Sequence, residues 1–357
     1  MKSSRKTLFL LTLVIGLCGY LALAYFFYGN FDQVSYEMVV KIMRAGGNVY
    51  AETHRYNYSP VWSFCLLGFD ALARLSGLPL HFVIRAFLTL VNLANCLLLY
   101  QITNRSLAVW IVTWLNPVII FTVGFHGQFE VLSLLPLLVA ALLHRQGRLT
   151  DLGLLLLGTA AVVLKQNIAF AVWMAYFLLV RRPLKALVML AISGTVFLAT
   201  FLPYLPEGAM GILRNVLLYS SVPRAYGLRL FPAPDGALLF MALMMLTPLV
   251  AKIRNKDLLT GLFFSYLVFL TFMPGFSMQH FLPLFFFGSV KLSRFLAVFT
   301  ALFVAYILAS VDGFALPMRE IPLNVLWAVL VAWLGWFAAI NFRQTARQAT
   351  PSAQLPE

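Results

Sequence analysis

The chain has 357 residues, of which 62% are hydrophobic and only 11% are charged. This composition excludes a soluble globular fold, which uses about 25% charged residues to cover its surface, and it also excludes intrinsic disorder and a disulfide scaffold. The net charge of +14 does not indicate a nucleic-acid partner, because the Lys and Arg residues lie in short loops between apolar runs, the arrangement that orients membrane proteins.

The N-terminus predicts a transmembrane first helix. Lys2, Arg5 and Lys6 precede an apolar run over 8–28 that ends in four aromatic residues, which are typical of a membrane interface. Ala22-Leu23-Ala24 resembles a signal-peptide cleavage site, but the run is too long for a normal signal sequence. We therefore expect an uncleaved helix with its N-terminus in the cytoplasm.

Further apolar runs follow, and the basic clusters between them set their direction. We expect the clusters at 144–148, 181–185, 252–256 and 291–294 in the cytoplasm, because positive loops stay inside. The apolar runs lie at 60–76, 82–100, 107–124, 128–143, 150–164, 167–180, 186–203, 236–251, 257–273, 278–290, 295–311 and 323–341.

The predicted fold is all-α, a polytopic transmembrane bundle of about 12–13 helices with outer juxtamembrane helices. Residues 1–343 form one domain, and 344–357 form a cytoplasmic polar tail. The direction of the flanking runs implies that 60–76 does not cross and instead forms a juxtamembrane or re-entrant helix, which Asp70 and Arg74 within it also favour. The alternative is that this run crosses and a neighbouring run does not.

The less basic connections share the non-cytoplasmic face in this topology. They include two long outer loops, 29–59 and 204–235, and they hold most of the twelve acidic residues and four of the five His. A chemical site is therefore expected to face away from the cytoplasm.

The first outer loop holds the main catalytic candidate. Asp32 follows the first helix, where a carboxylate has an apolar wall on one side and water on the other and can act as a base. The alternative is a structural helix cap, because Tyr36, Val39 and Met43 follow at helical spacing.

The second candidate region surrounds Asn116-Pro117, where a kink is expected. Gln128 and Glu130 then open the next helix at the outer surface, either as site residues or as a capped tight turn. Lys165 lies between two apolar runs, away from the cytoplasmic clusters. Its charge must be compensated within the protein or reach water. An anionic ligand such as phosphate would compensate it, and snorkelling of the side chain to the interface would satisfy it equally well.

Two further outer segments carry possible phosphate ligands. Arg224 and Arg229 lie in a proline-rich loop, where arginines can grip a phosphate or form solvated surface charge. His280 lies in a polar break between two apolar runs and could contact a phosphate, take part in proton transfer or have a structural role. The sequence has no metal-ligand spacing and no P-loop, Rossmann or serine-triad motif, so no metal or cofactor is expected.

The order of these motifs resembles the GT-C superfamily of membrane glycosyltransferases. The chain is most similar to bacterial polyprenyl-phosphate-sugar-dependent hexosyl- or pentosyltransferases, and more distantly to the GPI-assembly mannosyltransferases, over roughly residues 8–290. The motifs are Asp32, Gly46-Gly47-Asn48-Val49-Tyr50, Tyr56-Asn57-Tyr58-Ser59-Pro60, Asn116-Pro117, Gly127-Gln128-Phe129-Glu130, Lys165, Gln279-His280 and Pro283.

The resemblance implies transfer of a sugar from a polyprenyl-phosphate donor to a lipid-linked or glycan acceptor, on the periplasmic or extracellular side of a cell membrane. Asp32 is then the general base, with Glu37 as a possible second carboxylate, since Gln33 replaces the second acid of the common pair. The implied donor-phosphate ligands are Lys165, Arg224, Arg229 and His280, and the implied substrate-binding residues are Tyr58, Gln128, Glu130 and Gln279.

Two other functions fit the same composition. A secondary transporter or lipid flippase would carry ionisable residues near the bilayer midplane and two similar halves, neither of which is evident here. A non-catalytic assembly subunit would tolerate the loss of Asp32.

Overall fold

The computed structural model describes residues 2–218, 236–253, 256–273, 278–310 and 323–348, and these are all helices and connections, without a strand. The all-helical prediction is therefore confirmed for this part of the chain. The helices are α1 Lys2–Phe26, α2 Phe31–Arg44, α3 Val49–Glu52, α4 Pro60–Ser76, α5 Leu80–Ile102, α6 Leu107–Trp114, α7 Pro117–Ile120, α8 Glu130–Arg145, α9 Asp151–Leu164, α10 Ala169–Leu179, α11 Pro183–Ala199, α12 Ala209–Gly211, α13 Gly236–Ile253, α14 Leu258–Phe272, α15 Leu282–Ser289, α16 Arg294–Ser310 and α17 Leu323–Gln348.

Within the described ranges, three helical stretches are long and apolar enough to cross a membrane: Ser4–Phe26, Leu80–Ile102 and Pro183–Tyr204. A fourth is added if α6 and the following stretch, Pro117–Phe125, count as one broken span. Shorter apolar helices make up much of the remainder. The described residues thus include helices that could span a membrane by length and composition, while the larger number of crossings stays a prediction.

The broken span has a bend of 42° between Leu107–Trp114 and Pro117–Phe125, as Pro117 predicts. Asn116 begins the second half, and its side-chain oxygen accepts hydrogen bonds from the backbone amides of Val118 at 3.0 Å and Ile119 at 3.4 Å. A π-helical turn, Phe121–Phe125, then ends the span. The bend leads the chain directly into the segment that carries His126 and Gln128.

Helix α5 lies in the middle of the part that positions the site, since it packs against α1, α4, α6 and α8. Polar contacts between α1 and α6 fix the neighbouring helices: the Trp110 indole donates to the hydroxyl of Thr12 at 2.9 Å, and the Tyr20 hydroxyl donates to the carbonyl of Trp114 at 3.2 Å. The opposite side of α1 exposes Leu10, which is apolar and fits contact with lipid.

Segment 29–59, the predicted first outer loop, contains two of the helices, and α4 follows it. Asn30 caps α2, Asn48 caps α3, and Pro60 is the first residue of α4, all favoured at helix starts. Helix α4 packs against α2 and α5. The buried carboxylate of Asp70 lies 3.1 Å from Arg74, so α4 carries charge within its length.

Helix α4 is not among the helices that meet the length and hydropathy needed to cross a membrane in the described residues. Its assignment as a juxtamembrane or re-entrant helix remains a prediction. At the other end of the chain, α17 continues to Gln348, so the first residues of the predicted polar tail belong to this helix.

Candidate active site

Asp32 lies in the first turn of α2, which starts where α1 has just ended. The side-chain oxygen of Asn30 accepts a hydrogen bond from the Asp32 backbone amide at 3.1 Å, so the cap is Asn30 and the Asp32 carboxylate is left for other contacts. A helix N-terminus also favours a negative charge in its first turn. The residue that caps α2 is therefore Asn30, and not Asp32 as the alternative interpretation of the sequence proposed.

The Asp32 side chain lines a cavity of about 210 Å³. One side of this cavity is formed by α2, and the opposite side is formed by the loop before α4. Gln279, from the distant segment Met278–Phe281, completes it. The other lining residues are Phe31, Ser35, Tyr36, His54, Arg55, Tyr56, Asn57 and Tyr58.

The turn that follows the broken span approaches Asp32 from the other side. The buried amide of Gln128 donates a hydrogen bond to the Asp32 carboxylate. The Asn30 amide lies 2.5 Å from Nδ1 of His126. Residues from two segments that are almost 100 positions apart in sequence thus hold one carboxylate in a fixed orientation.

Burial raises the pKa of the Asp32 carboxyl above its ordinary value, while Asn30, Lys165 and Gln128 act in the opposite direction. Burial and the nearby Arg85 lower the pKa of His126 to about 3. The His126 ring is therefore neutral near pH 7. Asp32 is a stronger base than a solvated aspartate.

Lys165 and Glu130 form an ion pair inside the protein. The Lys165 ammonium lies 2.8 Å from the Glu130 carboxylate, and both side chains are almost completely buried. It also lies 4.3 Å from the ring centroid of Tyr58 and 4.1 Å from that of Phe129. The lysine charge thus has an internal partner, while its field still favours the ionised form of Asp32.

Arg55 is a site residue that the sequence analysis did not single out. Its guanidinium lies 4.0 Å from the centroid of the Phe31 ring, and the residue lines the Asp32 cavity. Within the described ranges no carboxylate lies within 4.0 Å of it. The sequence signal was a basic residue three positions before Tyr58, in the motif-bearing segment that precedes Pro60.

The structure does not bring every candidate to the Asp32 cavity. Glu37 lines a second cavity, of about 420 Å³, together with Lys41, Arg44 and Asp70. The cavities lie against different residues of α2, so a paired-carboxylate site has no support from their geometry. Arg224 and Arg229 lie outside the described residues.

His280 and its neighbour differ in position. Gln279 lines the Asp32 cavity, whereas the His280 ring packs against Phe269 with the ring centroids 5.9 Å apart.

No group of three or more His, Cys, Asp or Glu residues that could hold a metal ion occurs in the described part of the chain. Comparison of the chain with protein-family models, with curated proteins and with solved structures finds no match.

Proposed function

We propose that this protein is a membrane glycosyltransferase that takes a sugar, a mannose-like hexose or a pentose, from a polyprenyl-phosphate donor and passes it to a lipid-linked or glycan acceptor. The observation that carries the proposal is the cavity lined both by an oriented carboxylate, Asp32, and by the Arg55 guanidinium, which has no acidic partner within 4.0 Å among the described residues. The motif resemblance points to the same activity.

In the proposed reaction, Asp32 accepts the proton of an acceptor hydroxyl as that oxygen attacks the anomeric carbon of the donor sugar. The bond between the anomeric carbon and the phosphate oxygen breaks, and its electron pair leaves with polyprenyl phosphate. A general base of this kind contributes about 10²–10⁴-fold to the rate. A single attack from the face opposite the leaving group inverts the anomeric configuration.

The leaving phosphate gains negative charge as the glycosidic bond breaks. Arg55 is the described cation best placed to stabilise this charge, because it lines the cavity and pairs with no carboxylate in the part of the chain that the structure describes. Arginine suits this role, since its planar group forms paired hydrogen bonds to phosphate oxygens. Lys165 contributes at longer range, because its ammonium is already bound to Glu130.

The environment of Asp32 suits a base that acts alone. Burial raises the pKa of its carboxyl, which strengthens it as a proton acceptor. Gln128 donates to one carboxylate oxygen and thereby leaves the other oxygen for the acceptor hydroxyl. The aromatic walls Tyr36, Tyr56 and Tyr58 exclude water on one side, and electrostatic contacts are stronger where water is scarce.

The proposed location is the non-cytoplasmic face of a multi-pass cell membrane, such as a bacterial inner membrane. Asp32 follows α1 by six residues, and the intervening aromatic residues Phe27 and Tyr28 are exposed, as expected at a membrane interface. A polyprenyl chain would then lie among apolar helices, with its phosphate at the level of the cavity.

The test is a transfer assay on the full-length protein in proteoliposomes that contain synthetic polyprenyl-phosphate hexoses and pentoses and lipid-linked acceptors. The proposal expects glycosidic cleavage and an acceptor product of inverted configuration. The flippase alternative expects the intact donor lipid to change leaflet without cleavage, and that result would replace the proposal.

A further inference from the structure

A buried arginine lies behind the Asp32 site and takes no part in the chemistry described above. Arg85 belongs to α5 and has 0% of its surface exposed. Burying a guanidinium is costly unless it is well bonded. No carboxylate lies within 4.0 Å of it in the described ranges, so other groups must hold this cation.

The first set of partners is the last turn of α1 and the two residues that follow it, and it includes the carbonyl of Ala24, to which the Arg85 guanidinium donates at 3.5 Å. A guanidinium nitrogen of Arg85 donates to the carbonyl of Phe27 at 2.6 Å, and the second donates to the carbonyl of Tyr28. Carbonyls at a helix C-terminus lack partners within the helix and lie at the negative end of its dipole. Arg85 therefore fixes the point from which the chain continues, through Gly29 and Asn30, to Asp32.

The second contact is with the turn that carries Gln128. Gly127 has a φ of +67°, and a Cβ there would lie 3.3 Å from Cγ of Arg85. Gly29 has a φ of +100°, and a Cβ there would lie 1.9 Å from the Arg85 guanidinium and 2.8 Å from the carbonyl oxygen of Phe125. Both segments thus approach the arginine at a glycine. Glycine is favoured at both positions because it adopts a positive φ readily and has no Cβ to crowd the Arg85 side chain.

The two segments that meet at Arg85 are those that carry the site. The residue after Gly29 is Asn30, whose amide lies 2.5 Å from His126. The residue after Gly127 is Gln128, whose amide donates to Asp32. Arg85 therefore contacts both segments that the Gln128–Asp32 hydrogen bond joins.

We propose that Arg85 is a positioning residue, whose guanidinium holds the Asp32 segment and the Gln128 segment at the distance that their hydrogen bond requires. It touches neither substrate nor the reacting atoms. The consequence for the reaction rests on the proposed function, but the positioning itself does not. A displacement of about 1 Å at a catalytic group can lower a rate about 100-fold.

The test compares two variants with two matched controls. Arg85→Met removes the guanidinium, and Gly29→Ala displaces it while keeping its charge. The control for the first is Arg74→Met, at a half-exposed arginine bound to Asp70. The control for the second is Gly46→Ala, at a glycine with a φ of +75° where an added Cβ meets no atom within 4 Å.

The measurement is hydrogen–deuterium exchange of the segments 27–33 and 124–130 in full-length protein, with single-turnover transfer from polyprenyl-phosphate mannose as a second readout. Both test variants should exchange faster in both segments, and their transfer rate should fall about 100-fold with donor KM little changed. The controls should match the wild type in exchange and in rate.

Folded Arg85→Met protein with wild-type exchange in both segments would overturn the proposal. If Arg85→Met does not fold, Gly29→Ala decides by the same criterion. A wild-type protein that transfers no sugar from any donor would refute the proposed function, whereas the exchange measurement would still decide whether Arg85 positions the two segments.

Discussion

Removal of the Lys165 ammonium tests the electrostatic description of the site most sharply. In Lys165→Met, the Glu130 carboxylate stays buried with 1% of its side chain exposed and loses the partner at 2.8 Å. Breaking a buried ion pair from one side costs about 3–5 kcal/mol. The two ring contacts, at 4.3 Å and 4.1 Å, add to this loss, since such contacts are each worth about 0.5–2 kcal/mol.

The assay is the free energy of unfolding in mixed detergent micelles, measured for a double-mutant cycle. Lys165→Met alone should lose several kcal/mol, and adding Glu130→Gln should recover much of the loss because no unpaired charge then remains. The matched control is Lys185→Met, since Lys185 pairs with Asp151 at the surface with both side chains about half exposed. An exposed pair contributes only about 0–1 kcal/mol.

The same variant should shift the pH dependence of transfer. The ammonium of Lys165 favours the ionised form of Asp32, so its removal should raise the pKa of Asp32 further. In the proposed mechanism, activity requires ionised Asp32 and is lost as the pH falls through that pKa, so the acid limb of kcat/KM should move to higher pH. Three results would refute the reasoning. They are a Lys165→Met protein as stable as the wild type, a double variant no more stable than the single one, and an acid limb that moves to lower pH.

Two further predictions concern the cavity. Arg55→Met should raise the donor KM about 10- to 100-fold, because hydrogen bonds to charged groups are worth about 1.5–3 kcal/mol. The matched control is Lys41→Met, at a lysine that lines the second cavity. Equal effects of the two substitutions on the donor KM would contradict the assignment of Arg55. In the pH–rate profile, the acid limb should lie above the ordinary range of an aspartate because burial raises the pKa of Asp32. His126, whose pKa is about 3, should add no limb between about pH 5 and 8, which a comparison of wild type with His126→Gln checks.

The helices were predictable because hydrophobicity along the chain decides where they form. The predicted run 82–100 is the helix Leu80–Ile102, and 150–164 is the helix Asp151–Leu164. The bend at Asn116-Pro117 was predictable from the proline. The sequence analysis named both Asp32 and Gln128 as site candidates, and the structure joins them by a hydrogen bond, whereas the membrane face on which they lie stays a prediction.

The pairing of charges was not predictable in the same way. The sequence showed that Lys165 needs a partner, but whether this is a ligand or Glu130 depends on how α8 and α9 are placed relative to each other. Arg85 lies within an apolar run, where its role depends on the carbonyls at the end of another helix. Arg55 lies in the loop before α4, and its place in the cavity follows from the folded path of that loop.

The most direct test of the central claim, that Asp32 activates the acceptor, is the single-turnover transfer rate of Asp32→Asn with donor binding measured in the same preparation. The account predicts a rate about 10²–10⁴-fold below that of the wild type. It also predicts nearly unchanged donor binding and a protein at least as stable, because the buried charge whose desolvation raises the pKa of Asp32 is removed. A well-folded Asp32→Asn protein that transfers sugar at the wild-type rate would contradict the account.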